Sequence, residues 1–147
     1  AWDNALINFD KTGWFPGGNY LAMKMYRDAH APTLVELQVE CERWGDAGLP
    51  DLDVMAATDG ERLILKVVNL NAEQEVRAQI AITGGRLGDA AQMWVLDAET
   101  VETRNSLHEP EKMRVVSAAV QVAQQECVLS FAPHSVNVIS IPLLPPG

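Results

Sequence analysis

The hydrophobic period changes once along this chain, and that change limits the fold more than any single motif. In residues 19–29 apolar side chains recur at helical spacing. Tyr20, Met23 and Tyr26, with Leu21 and Met25, mark one side; Lys24, Arg27 and Asp28 are left for the other. Asn19 is placed to cap the helix, and Pro32 ends it. Before it, "ALINF" (5–9) reads as a short buried strand, and "KTGWFPGG" breaks regular structure through Pro16 and its glycines. From residue 34 onward the period is two.

Strands are expected at "LVELQVE" (34–40), "DVMAAT" and "ERLILKVVN" around Asp59-Gly60, "VRAQIAI" (76–82) and "AQMWVLD" (91–97). "MRVVSAAVQVA" and "CVLSFA" are expected to pair around Gln124, Gln125 and Glu126, and "SVNVISIPL" closes the series. Residues 42–51 read as a loop and 98–112 as a long connection. About eight strands at roughly 8–12-residue spacing predict an antiparallel β-sandwich over residues 34–147. Residues 1–33 form a β-loop-α unit in front of it. One strand and one helix cannot cover both faces of that strand, so the unit is expected to be the remnant of a larger α/β body lying upstream. A start without Met, inside an apolar run, fits a piece of a longer polypeptide.

Hydrophobic residues make up 48% of the 147, enough for a core. The formal net charge of −9 lacks the basic footprint of a nucleic-acid binder and disfavours an anionic membrane surface as partner. No apolar run approaches the ~18 residues of a membrane span, and the first residues lack the pattern of a signal peptide. The compartment stays open between a bacterial cytoplasm and a periplasmic or secreted location. Cys41 and Cys127 are far apart in sequence; a buried free thiol at Cys127 and a disulfide between the two are both open.

Four segments, in order, carry a resemblance: "NFD…GWFP…NYLAMKMYRD…AP", "DGERLILKVVN", "RNSLHEPEKMRVVSAAV" and "FAPHSVNVISI". The most specific pieces are Arg104-Asn105-Ser106-Leu107 with Pro110, and Pro133, Ser135, Val136 and Val138. Together they make nearly the whole chain similar to the C-terminal region of the α-L-arabinofuranosidases of glycoside hydrolase family 51. The resemblance implies a (β/α)8 catalytic barrel followed by a sandwich of jelly-roll type. Residues 4–9 would be the last barrel strand, and residues 19–29 the last barrel helix.

Retaining enzymes of this kind use two carboxylates about 5–5.5 Å apart. The resemblance puts both, as glutamates, on earlier barrel strands, the acid/base one following an Asn. This chain has no Asn-Glu dipeptide, and its pairs Glu40/Glu42, Glu73/Glu75 and Glu109/Glu111 read as solvated faces. A barrel also needs roughly 250 residues. No catalytic residue is therefore assigned, no cofactor is expected, and His30, His108 and His134 have no metal-ligand spacing.

Two residues are candidates for substrate contact in an intact enzyme: Trp14, whose indole suits a sugar's apolar face, and Asp10. Both sit in what would be a βα loop on the catalytic face of the barrel. Packing of Trp14 and Phe15 against the helix is the competing use. Trp94 and Trp44 are open between packing and a sugar platform, and Arg104 between a barrel carboxylate and solvent. The expected function is a non-catalytic accessory domain, partnered by the upstream barrel of the same polypeptide. An autonomous carbohydrate-binding module and a homo-oligomerisation module are the alternatives.

Overall fold

The computed structural model describes residues 5–122 and 126–145. Trp2, the turn expected around Gln124 and Gln125, and Pro146-Gly147 lie outside the described residues. Among the described residues the chain is mainly β, with antiparallel sheets and one helix. In order the elements are β1 (Ile7–Phe9), β2 (Trp14–Pro16), α1 (Gly18–Asp28), β3 (Thr33–Leu34), β4 (Arg43–Trp44), β5 (Leu49–Pro50), β6 (Leu52–Thr58) and β7 (Arg62–Asn69). Then follow β8 (Val76–Ala81), β9 (Arg86–Leu87), β10 (Ala90–Leu96), β11 (Val115–Gln121), β12 (Glu126–Phe131) and β13 (Val136–Leu144). No described helix is long and apolar enough to cross a membrane.

One sheet organises the molecule, in the order β11-β10-β13-β7-β6-β3, with β9 joined to the end of β13. Its central strands are apolar on both faces, which is why "RLILKVV" and "VNVISI" read as continuous rather than alternating runs. Leu63, Leu65, Val67, Ile139 and Ile141 point to one side. There the β8–β12 ribbon lies over them with Val76, Ala78, Ile80, Cys127, Leu129 and Phe131. Ile64 and Val138 point to the other side, where α1 covers them.

The helix docks through Leu21, Ala22, Met25, Tyr26 and Ala29. This corrects the expected stripe, because Met23 is exposed. The two alanines let the helix approach the sheet closely. Lys66 on β7 secures it, donating to the Tyr26 carbonyl at 3.0 Å with its ammonium 4.8 Å from the Tyr26 ring centroid. Burial pushes the Lys66 amine below its ordinary value. The cap also differs: Gly17 is the N-cap, and Asn19 instead turns its Oδ1 back to the Tyr20 amide.

Other expectations change as well. Of the predicted 34–40 strand only Leu34 lies in β3, and 35–40 runs exposed on both of its alternating sides, with the Val35 amide donating to the Ala56 carbonyl at 3.0 Å. β11 and β12 do not pair with each other; β11 joins β10, and β12 joins β8. The two strands therefore belong to different sheets. The 42–51 loop holds the small β4–β5 hairpin. Cys41 and Cys127 are both free thiols, and burial pushes Cys127 up.

A buried polar knot closes one end of the sheet. Asn69, 1% exposed, directs Nδ2 at the carbonyls of Gln74, Phe131 and Ala132, and its Oδ1 accepts from the Asn71 amide. Asn71 in turn accepts from the amides of Glu73 and Gln74 and donates to Asp51. Ser135, just before β13, and Asn137 within it extend the set. Replacing Asn69 by Ala strands several buried groups and should cost about 3 kcal/mol of stability in urea denaturation.

The β6–β7 turn follows its Asp59-Gly60 signal. Gly60 has φ +90°, and Asp59 accepts from the amides of Glu61 and Arg62 and from the Arg62 guanidinium. The guanidinium and these amides hold the Asp59 carboxyl down from 3.8 to about 2. The folded form thus binds this proton less tightly than the unfolded chain, so the turn's contribution is complete above the unfolded value and lost as pH falls through the folded one. A carboxyl-carbon NMR titration should place the Asp59 midpoint near 2 and move it up in Arg62→Gln.

Candidate functional site

The region that carries Asp10 and Trp14 is a hairpin, not a lone strand and loop. β1 pairs with β2 in the register Ile7↔Pro16, Asn8↔Phe15, Phe9↔Trp14. Strand 4–9 is thus shortened to Ile7–Phe9, and a second strand follows the turn. The Asp10 amide closes the turn on the Gly13 carbonyl at 3.0 Å. The Asp10 Oδ1 accepts from the Thr12 hydroxyl at 2.5 Å and the Thr12 amide at 2.6 Å. The hydroxyl first, and then the amide, hold the Asp10 carboxyl below its ordinary value. Asp10 is therefore an exposed, ionised staple of its own turn, suited to accept hydrogen bonds rather than to deliver a proton.

Opposed residues share one side of a hairpin, as do residues two apart. Phe9, Trp14 and Ile7 therefore stand together, at 81%, 58% and 46% exposure. Asn8 and Phe15 share the other side and are half-buried. So Phe15 packs, while Trp14 stays in solvent beside an aromatic partner. Phe9 was missed by sequence reasoning; its signal was the hairpin register around the Asp10–Gly13 turn, which a single-strand reading hides.

Gly17 fixes how the hairpin meets the helix. Its amide donates to the Leu6 carbonyl at 2.8 Å, and a Cβ there would lie 2.7 Å from the Ala5 carbonyl oxygen. The other aromatic candidates go elsewhere. Trp94 is half-buried under α1, beside a cavity of 330 Å³ also lined by Leu21, Met25, Ile64 and Val115. Trp44 is half-buried in the β4–β5 hairpin, its Nε1 buried without an acceptor.

The acidic pairs Glu40/Glu42, Glu73/Glu75 and Glu109/Glu111 are exposed. Glu40, Glu42 and Glu75 border a polar cavity of 570 Å³ whose buried carboxylate, Asp51, is engaged by Asn71. Among the described residues no three His, Cys, Asp or Glu side chains gather to hold a metal ion.

Comparison with solved structures bears on the whole arrangement. The α-L-arabinofuranosidase of Thermotoga maritima, in its arabinose complex, matches 95% of this chain at a TM-score of 0.86 and 24% identity. The thermostable family-51 enzyme of Thermotoga petrophila matches 92% at 0.82 and 26% identity. This chain has the fold of part of a family-51 arabinofuranosidase. It spans only 32% and 31% of those two enzyme chains. The family-51 arabinofuranosidase of Xanthomonas axonopodis pv. citri gives the same relation, 93% of this chain over 28% of that one at a TM-score of 0.80. A C-terminal region set against whole enzymes would stand in this proportion. No family model matches the sequence, and no curated protein matches it.

The Asp10 geometry is directly checkable. Thr12→Val removes the hydroxyl that dominates the shift, so the Asp10 midpoint should rise toward its ordinary value in a carboxyl-carbon titration, while that of Asp59 stays in place.

Proposed function

We propose that this chain is the C-terminal accessory region of an α-L-arabinofuranosidase acting on arabinose-containing plant polysaccharides. On this reading residues 1–33 are the closing strand-helix unit of a (β/α)8 barrel. Residues 34–147 are a jelly-roll β-sandwich that covers and stabilises it. The observation that carries the proposal is the match of almost the whole chain to about a third of several family-51 enzymes. The exposed Phe9–Trp14 pair supports it in detail. Those side chains flank the turn of the β1–β2 hairpin, which on this reading lies at the substrate face of the barrel, and an indole there can stack on an arabinofuranosyl ring.

A self-standing carbohydrate-binding module is less favoured. Such a module needs an exposed aromatic row on its sheet, whereas Trp94 lies under the helix and Phe131 is buried.

The isolated chain should release no arabinose from an aryl α-L-arabinofuranoside and should not be retained on arabinoxylan. The longer polypeptide carrying the barrel should be active. In that polypeptide Trp14→Ala should lower kcat/KM about three- to tenfold, the size of one lost stacking contact. Arabinose release by the 147 residues alone would overturn the proposal.

A further inference from the structure

A two-stranded hairpin of three-residue strands is marginal in water by itself. This one also presents an apolar side to solvent, so something else must hold its position. The structure supplies a strap. Residues 97–114 cross from β10 to β11 without regular structure, a little longer than the expected connection at 98–112, and fold into tight turns over the hairpin. Ser106 and Glu109 bond each other reciprocally: Ser106 donates its amide to the Glu109 carbonyl, and the Glu109 amide donates to the Ser106 hydroxyl.

The strap meets the hairpin-helix unit at three places. Leu107 reaches the turn, its Cδ2 lying 3.9 Å from where a Gly13 Cβ would stand. Met113 lies against the start of α1, its Cε 2.8 Å from the position of a Gly18 Cβ. Between them Asn105, 6% exposed, donates through Nδ2 to the Pro16 carbonyl at 3.2 Å and to the Met113 carbonyl at 2.9 Å. Its Oδ1 accepts from the Met113 amide at 2.6 Å. Both amide hydrogens and the carbonyl oxygen are thus engaged. An asparagine is required there, because Asp cannot donate, Leu can do neither, and Gln is one methylene too long.

We infer that Asn105 is a positioning residue, which clamps the 97–114 strap to Pro16 and so sets where the Phe9–Trp14 pair stands relative to the sheet. The clamp makes the "RNSLHEPEKM" segment the element through which the β-region controls the hairpin. Its consequence for substrate rests on the function proposed above: if Trp14 faces the sugar, Asn105 governs sugar binding without touching it.

The test uses the 147-residue chain labelled with 5-fluorotryptophan, the Trp14 resonance being assigned by its loss in Trp14→Phe. Asn105→Asp keeps the acceptor for the Met113 amide and removes the donor to both the Pro16 and the Met113 carbonyls. It should shift the Trp14 resonance toward its position in urea and speed exchange of the ladder-bonded Phe15 and Gly17 amides at least about tenfold, as the two donated clamp bonds are lost. The Trp94 resonance and the β7 and β13 amides should not change. Leu107→Ala, at a partly exposed site, should act in the same direction more weakly and guards against a poorly folded Asn105 variant. An unmoved Trp14 in both variants, or exchange that quickens evenly across the sheet, would overturn the clamp. In the barrel-bearing polypeptide Asn105→Asp should raise KM several-fold with kcat less affected. A displaced Trp14 with unchanged KM would leave the clamp standing and remove the sugar contact instead.

Discussion

The β7–β13 pair must be covered on both faces, and most of the chain is arranged to do so. Leu63, Leu65, Val67, Ile139 and Ile141 face one way; Ile64 and Val138 face the other, and all are 6% exposed or less. An antiparallel sheet that leaves one face in water would need polar residues at every second place. This pair has few, so two different covers are recruited. The β8–β12 ribbon takes the first face, and α1 takes the second. A single helix in a β-rich chain is therefore a packing requirement of the central strands. The same docking anchors the hairpin in front of the helix, which is how a requirement of the core reaches the exposed aromatic pair.

The segments that carry the family resemblance take on a structural meaning. Asn69 ends "DGERLILKVVN", Ser135 and Asn137 lie in "FAPHSVNVISI", and Asn105 lies in "RNSLHEPEKM"; all four are buried and hydrogen-bonded. None is arranged for bond-breaking chemistry. Asn69, Asn105 and Ser135 satisfy backbone groups where the chain leaves the ladder, and Asn137 bonds the Val67 carbonyl from within β13; an unpaired buried carbonyl or amide is costly. Such positions tolerate few replacements, so a recognisable motif here reports on loop closure as much as on activity.

How much was legible follows from which forces are local. The β6–β7 hairpin was readable because Asp59-Gly60 sets its turn chemistry within four residues. β8 was readable because Val76, Ala78 and Ile80 alternate against Arg77 and Gln79 on a strand covered on one face. Residues 34–40 alternate just as well, yet only Leu34 lies in a strand; the Val35 amide still reaches the Ala56 carbonyl of β6, and 35–40 is exposed on both of its sides. The β1–β2 hairpin was hidden because its strands are three residues long, too short for any period to register. Phe9 was lost with it, and so was half of the candidate site.

The sequence by itself determined the elements whose signals are short-range: the helix, the longer strands and the tight turn, together with the net acidic charge. Only the tertiary structure decided which strands became neighbours, which side of α1 was buried, and that Asn105 grips Pro16 from 89 residues away. Pairing and docking depend on which apolar faces remain to be covered once the other elements are in place. That is a property of the assembled chain, and no local window of residues contains it.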